Sequence, residues 1–366
     1  MRIKSTPLMA AAIACLVGAL VTACGNNYDL ATEKSGTIAL LLPSTTAKRY
    51  ESADRPYFTE RIKRLCASCS VDYRNANESA SDQYNHANSA LSNGAKVLVL
   101  DPVDGNAAKA IVDLARSRKV PVISYDRLAS GNPDYYVSFD NEEVGRLQGE
   151  ALVKAISNNR ADQRNVVMIN GAPQDPNAAL FQKGAREALE DGKAHIVVSF
   201  DTPDWSPENA RRQMRLAIET LKPHNINAVL AANDTTAGGA LLAMNEASMK
   251  PIPPMTGQDA DVQGLQRILS GEQLVTIYKP IRPQAEAAAT LAVQLLRQEV
   301  PALAGVRFQS VDGVKSIILQ PVAVTRENIS STVIKDKFTN PADICTPDLI
   351  EQCKAANIDP AQAPDQ

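Results

Sequence analysis

The sequence predicts an α/β fold of two doubly wound parallel-sheet lobes. Short apolar runs alternate with amphipathic stretches along nearly the whole chain. The alternation comes in two rounds, which build two similar lobes of about six elements each, as parallel sheets covered on both faces require. The second round is too long for one lobe, so its last segments must be shared between the two.

In the first round, residues 37–42 (TIALLL) read as a buried strand. Residues 53–65 read as a helix, with Pro56 near its start, where proline is tolerated. Residues 71–74 make a short strand, and 81–91 a helix closed by Asn93-Gly94. Strand 96–100 (KVLVL) runs into Asp101-Pro102; helix 107–118 and strand 120–124 follow. The second round begins with helix 144–156, strand 166–169, helix 178–189 and strand 195–200. Helix 207–221, strand 228–231, helix 236–247 and a strand near Met255 come next. Helix 262–269, strand 274–278 and the long Ala-rich helix 281–296 precede a closing strand at 317–324.

Residues 1–23 read as a signal peptide. Arg2 and Lys4 form a basic start, and residues 8–21 carry no charge. A membrane-spanning helix takes about 20 apolar residues, so this run suits the h-region of a signal better. It ends in Val21-Thr22-Ala23-Cys24-Gly25. Small residues before a cysteine fit a signal-peptidase groove, and the Cys24 thiol can then take a diacylglyceryl group, as in a bacterial lipobox. An ordinary cleaved signal with a chance cysteine is the alternative. An acyl chain anchors a protein without spanning the membrane. Residues 24–35 are polar and aperiodic and read as the lipid-anchored tether. The expected location is the outer face of the cell membrane, in the cell envelope.

Removing Arg2 and Lys4 takes the formal charge from −3 to −5. A mildly acidic chain with mixed charges argues against a nucleic-acid partner. Four cysteines remain besides Cys15 and Cys24: Cys66, Cys69, Cys345 and Cys353. An even number in an exported chain suggests disulfides, and four cysteines allow three connectivities. The local pairs Cys66–Cys69 and Cys345–Cys353 are favoured. A redox pair or half a zinc site at Cys66-Ala67-Ser68-Cys69 is the alternative, but no histidine or second such pair accompanies it.

In sheets of this kind, ligands bind beyond the carboxyl ends of the strands. Polar residues gather at those positions: Tyr125-Asp126-Arg127, Asp140-Asn141, Asp175-Pro176-Asn177, Asp204-Trp205, Asn233-Asp234, Gln258-Asp259 and Lys279-Pro280. Two facing lobes would bring them into one cleft, with Arg49 and Tyr50 from the first lobe. Planar side chains with two polar atoms can engage neighbouring hydroxyls of a sugar together. The apolar face of a pyranose packs on an aromatic ring, and the lone Trp205 offers the most area. The set suits a small neutral polyol. Each residue also has a plainer use; Asp234 in particular reads as the cap of the following helix, which leaves Asn233 for a ligand.

Catalytic alternatives are poorer. The chain has three histidines, none in this set, and no GxSxG, P-loop or HExxH motif. Asp126 and Asp259 could imitate the carboxylate pair of a glycosidase. They are more simply hydroxyl acceptors held by Arg127 and Lys279. No catalytic residue, cofactor or metal is expected.

Longer motifs then carry a family resemblance. They are Ser124-Tyr125-Asp126-Arg127, Val137-Ser138-Phe139-Asp140-Asn141-Glu142, Asp204-Trp205-Ser206-Pro207-Glu208-Asn209 and Asn233-Asp234-Thr235-Thr236-Ala237-Gly238-Gly239-Ala240. Gly257-Gln258-Asp259-Ala260-Asp261, Val275-Thr276-Ile277-Tyr278-Lys279-Pro280-Ile281 and Thr332-Val333-Ile334-Lys335-Asp336 continue it. Over residues 37–338 the chain resembles the type I sugar-binding proteins of ABC importers, in the xylose and multi-sugar receptor group. The resemblance implies two lobes joined by a three-strand hinge, with a monosaccharide between them. It implies hydrogen bonds from Arg49, Asp126, Arg127, Asn177, Asn233, Asp259 and Lys279, and stacking on Trp205. Tyr50 stands where the xylose-binding protein has Trp, and residues 44–48 depart from the family's acidic stretch.

The expected division is a signal at 1–23, a tether at 24–35, a first lobe of 36–138 plus 279–310, and a second of 139–278 plus 311–340. Residues 341–366 form a cysteine-containing tail, expected on the surface as a stapled helix. The expected protein is a monomeric, lipid-anchored receptor of a sugar importer, with D-xylose ahead of glucose or a related aldose. Its partners are the sugar and an ABC permease. Rival readings are a receptor of the same fold for another small ligand, such as an autoinducer, a sugar-processing enzyme, and a sugar-responsive repressor. A repressor needs a DNA-binding segment where the signal peptide stands.

Overall fold

The structure, a computed structural model, describes residues 34–160 and 163–361. The expected signal peptide and the Cys24 lipidation site lie outside the described residues.

The first lobe is built on strands β1 (Thr37–Leu42), β2 (Ser70–Asn75), β3 (Val97–Leu100), β4 (Val122–Tyr125) and β5 (Tyr135–Phe139). The second uses β6 (Asn165–Ile169), β7 (His195–Phe200), β8 (Ala228–Ala231), β9 (Thr256–Gln258) and β10 (Val275–Tyr278). Three later strands follow: β11 (Gln309–Val311), β12 (Val314–Leu319) and β13 (Val322–Val324). The first sheet has the order β11-β12-β5-β4-β3-β1-β2. The second lobe holds the triplets β7-β6-β8 and β9-β10-β13, which a bridge from Val229 to Met255 joins. Its order is therefore β7-β6-β8-β9-β10-β13. In both lobes the strand order reverses beside the first strand, at β1/β3 and at β6/β8, and such switch points open a crevice for ligands.

Helices cover both faces, and the alternation of side chains along each strand explains how. Along β1, Ile38, Leu40 and Leu42 pack on one side, with α1 (Arg55–Leu65) and α9 (Ile281–Arg297). Ala39 and Leu41 face the other side, against α2 (Ala80–Ser92) and α3 (Lys109–Ser117). The second lobe repeats the scheme. Val167 and Ile169 pack against α6 (Pro207–Leu221) and α7 (Asp234–Glu246). Val166 and Met168 pack against α4 (Asn141–Ala155) and α5 (Pro176–Asp191). The inner strands β1, β3, β4 and β8 are apolar or small on both faces because both are buried, whereas the edge strand β2 carries Asp72, Arg74 and Asn75.

The chain crosses between lobes three times: from β5 into α4, from β10 into α9, and from β12 into β13. The last crossing differs from expectation. Residues 311–319 fall in the first lobe, because β11 pairs with β12 and β12 lies parallel to β5. The strand expected at 317–324 is two strands. Pro321 has no N–H for a ladder, so pairing stops there, and β13 turns antiparallel against β10. Strand β5 is also new; its Tyr-Tyr-Val-Ser-Phe run of strand-favouring residues follows the turn residues Gly131-Asn132-Pro133.

The tail differs as well. Cys345 is bonded to Cys353, and Cys66 to Cys69. Helix α10 (Pro341–Ile344) leads into Cys345, and α11 (Ile350–Ala355) carries Cys353. Ile344, Cys353 and Ile358 are buried with Leu265, Ile268 and Leu269 of α8 (Val262–Ser270) and with Tyr278. The tail is thus a packed part of the second lobe, because its apolar residues at 344, 350 and 358 complete the outer side of α8. Among the described residues no helix is long and apolar enough to cross a membrane.

Candidate ligand-binding cleft

Between the carboxyl ends of the two sheets lies a narrow, polar cleft with a cavity volume of about 30 Å³. Arg49, Tyr50, Asp126 and Arg127 line it from the first lobe; Asn177, Trp205, Asn233 and Asp259 line it from the second. Lys279 lines it from the β10 crossing. All nine residues expected to meet a ligand are therefore brought together.

The cleft has two charged centres. In the first, Arg49 Nη2 lies 2.7 Å from Asp126 Oδ2, and the Tyr50 hydroxyl donates to the same oxygen at 3.4 Å. Lys279 Nζ stands 3.8 Å from Asp126 Oδ1 and 3.5 Å from Asp259 Oδ1. Arg49 Nε lies 3.9 Å from that Asp259 oxygen, across the cleft. In the second centre, Arg127 Nε lies 2.8 Å from Asp175 Oδ2 of the other lobe, with Asp101 Oδ1 at 3.6 Å. Arg127 Nη1 also donates to Pro102 O at 3.1 Å. Trp205 Nε1 donates to Asp175 Oδ2 at 3.2 Å. Asn177 Nδ2 donates across the lobes to Asp126 O at 3.1 Å, and Asn141 Nδ2 donates to Asn177 Oδ1 at 2.9 Å.

Burial governs the protonation of these groups. It pushes the Asp126 carboxyl up, but Arg49, Lys279 and Arg127 outweigh it and hold Asp126 below its ordinary value. Burial raises Asp54 to about 6, against the pull of Arg49 and the Tyr125 hydrogen bond. Asp101 is pushed well above the usual carboxylate range by burial and by the Asp126 charge. Asp175 is also raised by burial, with Arg127 pulling it back. An acid held ionised by three cations cannot donate a proton at neutral pH, so Asp126 is unsuited to general-acid work. It is suited to accepting hydrogen bonds from neutral hydroxyls. Asp126 Oδ1, Asp259 Oδ1, Gln258 Oε1 and Arg49 Nη1 are buried atoms with no hydrogen-bond partner among the described residues. The cleft therefore offers unmet donors and acceptors from both lobes.

Apolar surface and backbone strain complete the site. Trp205 lies edge-on to Phe181, with ring centroids 6.3 Å apart. A Cβ on Gly171 would come within 2.1 Å of the Trp205 ring, so only glycine leaves room for the outer edge of the indole there. Asp126, Trp205 and Asp259 have φ of +58°, +53° and +88°. Such conformations cost on the order of 1–3 kcal/mol each and gather at functional sites.

Asp175, Phe181, Glu78 and Gln258 also line the cleft and were not in the expected ligand set. Phe181 stands four residues after Asn177, on the same face of α5, so helical spacing alone could have found it. Glu78 follows β2 in the polar run Asn75-Ala76-Asn77-Glu78-Ser79, a strand end outside the expected array. One assignment is reversed: Asn233, not Asp234, caps α7. Asn233 Oδ1 accepts from Thr236 N–H at 2.9 Å, in a capping box with the Thr236 hydroxyl. Asp234 is interior, because three donors from other segments reach its carboxylate.

Residues 38–299 match the periplasmic binding protein domain. The chain is 34% identical over 316 residues to the D-xylose-binding periplasmic protein of Escherichia coli K12, covering 85% of this chain and 93% of that protein. It is 33% identical over 343 residues to the D-xylose-binding periplasmic protein of Haemophilus influenzae, covering 92% and 98%. Among solved structures, an ABC transporter solute-binding protein from Clostridium phytofermentans with bound β-D-glucose superposes with a TM-score of 0.74. It shares 27% identity over 84% of this chain and 99% of its own. The chain therefore belongs to the periplasmic binding protein family, as a type I receptor of the group that holds the D-xylose-binding proteins, and it is not an enzyme.

Proposed function

We propose that the chain is the substrate-binding lipoprotein of a sugar ABC importer and holds one monosaccharide between its lobes. D-Xylose is the first candidate and glucose or a related aldose the second. The observation that carries this reading is the pairing of Asp126 and Asp259, one from each lobe, around the shared cations Arg49 and Lys279. Fixed carboxylates with neighbouring cations are matched to adjacent hydroxyls, which donate to one and accept from the other. Trp205 supplies the apolar wall for the C–H face of the ring. The relatives' xylose ligand and the bound glucose of the solved neighbour favour the same class.

In this reading, contacts from both lobes favour the closed form, and the three crossings act as the hinge. The closed receptor docks on a membrane permease, and ATP hydrolysis there reopens it. The sugar is not altered. Cys24 carries the acyl anchor, which keeps the receptor at the outer face of the membrane. Calorimetric titration of the mature chain with xylose, glucose, galactose, arabinose and ribose tests the proposal. A Kd of micromolar or tighter, about −8 kcal/mol, is expected for at least one aldose. Silence with all five would sink the sugar reading. A Cys24→Ala variant released into the soluble fraction is the matching result for the anchor.

A further inference from the structure

Asp234 sits beside the cleft residue Asn233, yet its own carboxylate is almost wholly buried, at 1% exposure. Oδ1 accepts from Gln273 Nε2 at 2.7 Å. Oδ2 accepts from the Asp261 N–H at 3.0 Å and from the Thr276 hydroxyl at 2.9 Å. Thr276 Oγ1 in turn accepts from the Ala260 N–H at 3.1 Å. The two amides that follow Asp259 thus end on Asp234, one directly and one through a single hydroxyl.

That turn needs holding. Asp259 and Ala260 have φ of +88° and +51°, a region that residues with a Cβ rarely adopt. The surroundings are shaped to Asp234. A Cβ on Gly264 would lie 2.3 Å from Asp234 Oδ2, so the start of α8 leaves room for the carboxylate. Arg267 donates to Asp234 O at 2.6 Å and to Gln273 Oε1 at 2.9 Å. The second contact orients the Gln273 amide so that its NH₂ meets Asp234. The turn's product is the Asp259 carboxylate, standing 3.5 Å from Lys279 with an unbonded oxygen in the cleft.

We propose that Asp234 is a positioning residue for the ligand acceptor Asp259, fixing the strained 259–261 turn through the Ala260 and Asp261 amides. Its effect on affinity rests on the sugar reading above; its effect on the turn does not. Two measurements on the mature chain test it, with Asp234→Ala and the shape-preserving Thr276→Val as variants. The first is hydrogen exchange without ligand. Exchange should quicken about tenfold or more at the Ala260 and Asp261 amides in Asp234→Ala, and at the Ala260 amide in Thr276→Val, with Val167 and Met168 of β6 unchanged. Equal protection in variant and wild type overturns the proposal, whether or not any sugar binds. The second is a double-mutant cycle read by calorimetry. Asp259→Asn should weaken sugar binding strongly in the wild type and less than about threefold in either variant. Full additivity would mean that Asp234 serves only stability, and the proposal would fall. Should Asp234→Ala not fold, Thr276→Val carries both readouts. If the wild type binds no sugar, the functional reading fails, and the exchange result alone decides on the turn.

Discussion

Arg127 of the first lobe and Asp175 of the second meet across the cleft, Nε to Oδ2, at 2.8 Å, with both side chains 4% exposed. Trp205 Nε1 shares the same carboxylate oxygen. Asp175 thus ties lobe closure to the placement of the aromatic wall. Breaking a buried pair by removing one partner costs about 3–5 kcal/mol, because a charge is left buried alone. In an opened cleft Arg127 can return to water, so the cost falls on the closed form. Asp175→Ala should therefore weaken sugar binding by about 100-fold or more. Calorimetry gives the value, and an affinity within a fewfold of wild type would contradict the tie.

Asp54 and Asp126 predict opposite pH behaviour. Burial raises Asp54 to about 6, so between its ordinary value and pH 6 the native state holds a proton that the unfolded chain has lost. Its contribution to stability is complete below its ordinary value and declines as pH rises through 6. Asp126 is held low by its cations, so its contribution is present above its ordinary value and declines as pH falls below it. Stability should accordingly be greatest in mild acid. Asp54→Asn should lessen the decline between about pH 4 and 6, to which Asp101 and Asp175, also raised by burial, add, measured by thermal unfolding across that range. An unchanged slope in that variant would assign the decline to another group.

Trp205 is the chain's one tryptophan, so its fluorescence reports the cleft alone. Sugar binding should change its emission, and Trp205→Phe should keep part of the affinity that Trp205→Ala loses. Aromatic contacts add about 0.5–1.5 kcal/mol beyond buried area, which sets the scale of the difference. Equal losses in the two variants would mean that the ring does not stack on the ligand.

Much of the fold is legible in the sequence because strands buried on both faces must be apolar throughout. β1 (TIALLL) and β8 (AVLA) show this directly. The third crossing was not legible. Whether residues 314–319 join the first or second sheet depends on β5 as a neighbour, and strand composition does not name a partner. The cleft was legible through strand-end polarity, which marks every second-lobe loop. Glu78 escaped because its oxygen reaches the cleft through a turn with positive φ at Asn77 and Glu78, not through a motif. The role of Asp234 was hidden for a related reason. Its bonds go to residues 261, 273 and 276, distant in sequence, whereas capping is a local pattern.

The tail gives a stability test separate from binding. Ile344 is fully buried against α8. Ile344→Ala should cost about 2–5 kcal/mol and lower Tm by several degrees. Sugar affinity should hold, because the tail does not line the cleft. A normal Tm would show that the tail packs only loosely.

In the proposed function, carboxylates from both lobes hold one sugar at once. Titration of D-xylose and D-glucose into the wild type and Asp259→Ala, side by side, tests it most directly. One sugar per chain is expected in the wild type, with no measurable binding in the variant and far-UV circular dichroism unchanged. Retained affinity in a folded Asp259→Ala would contradict the account and move the site elsewhere.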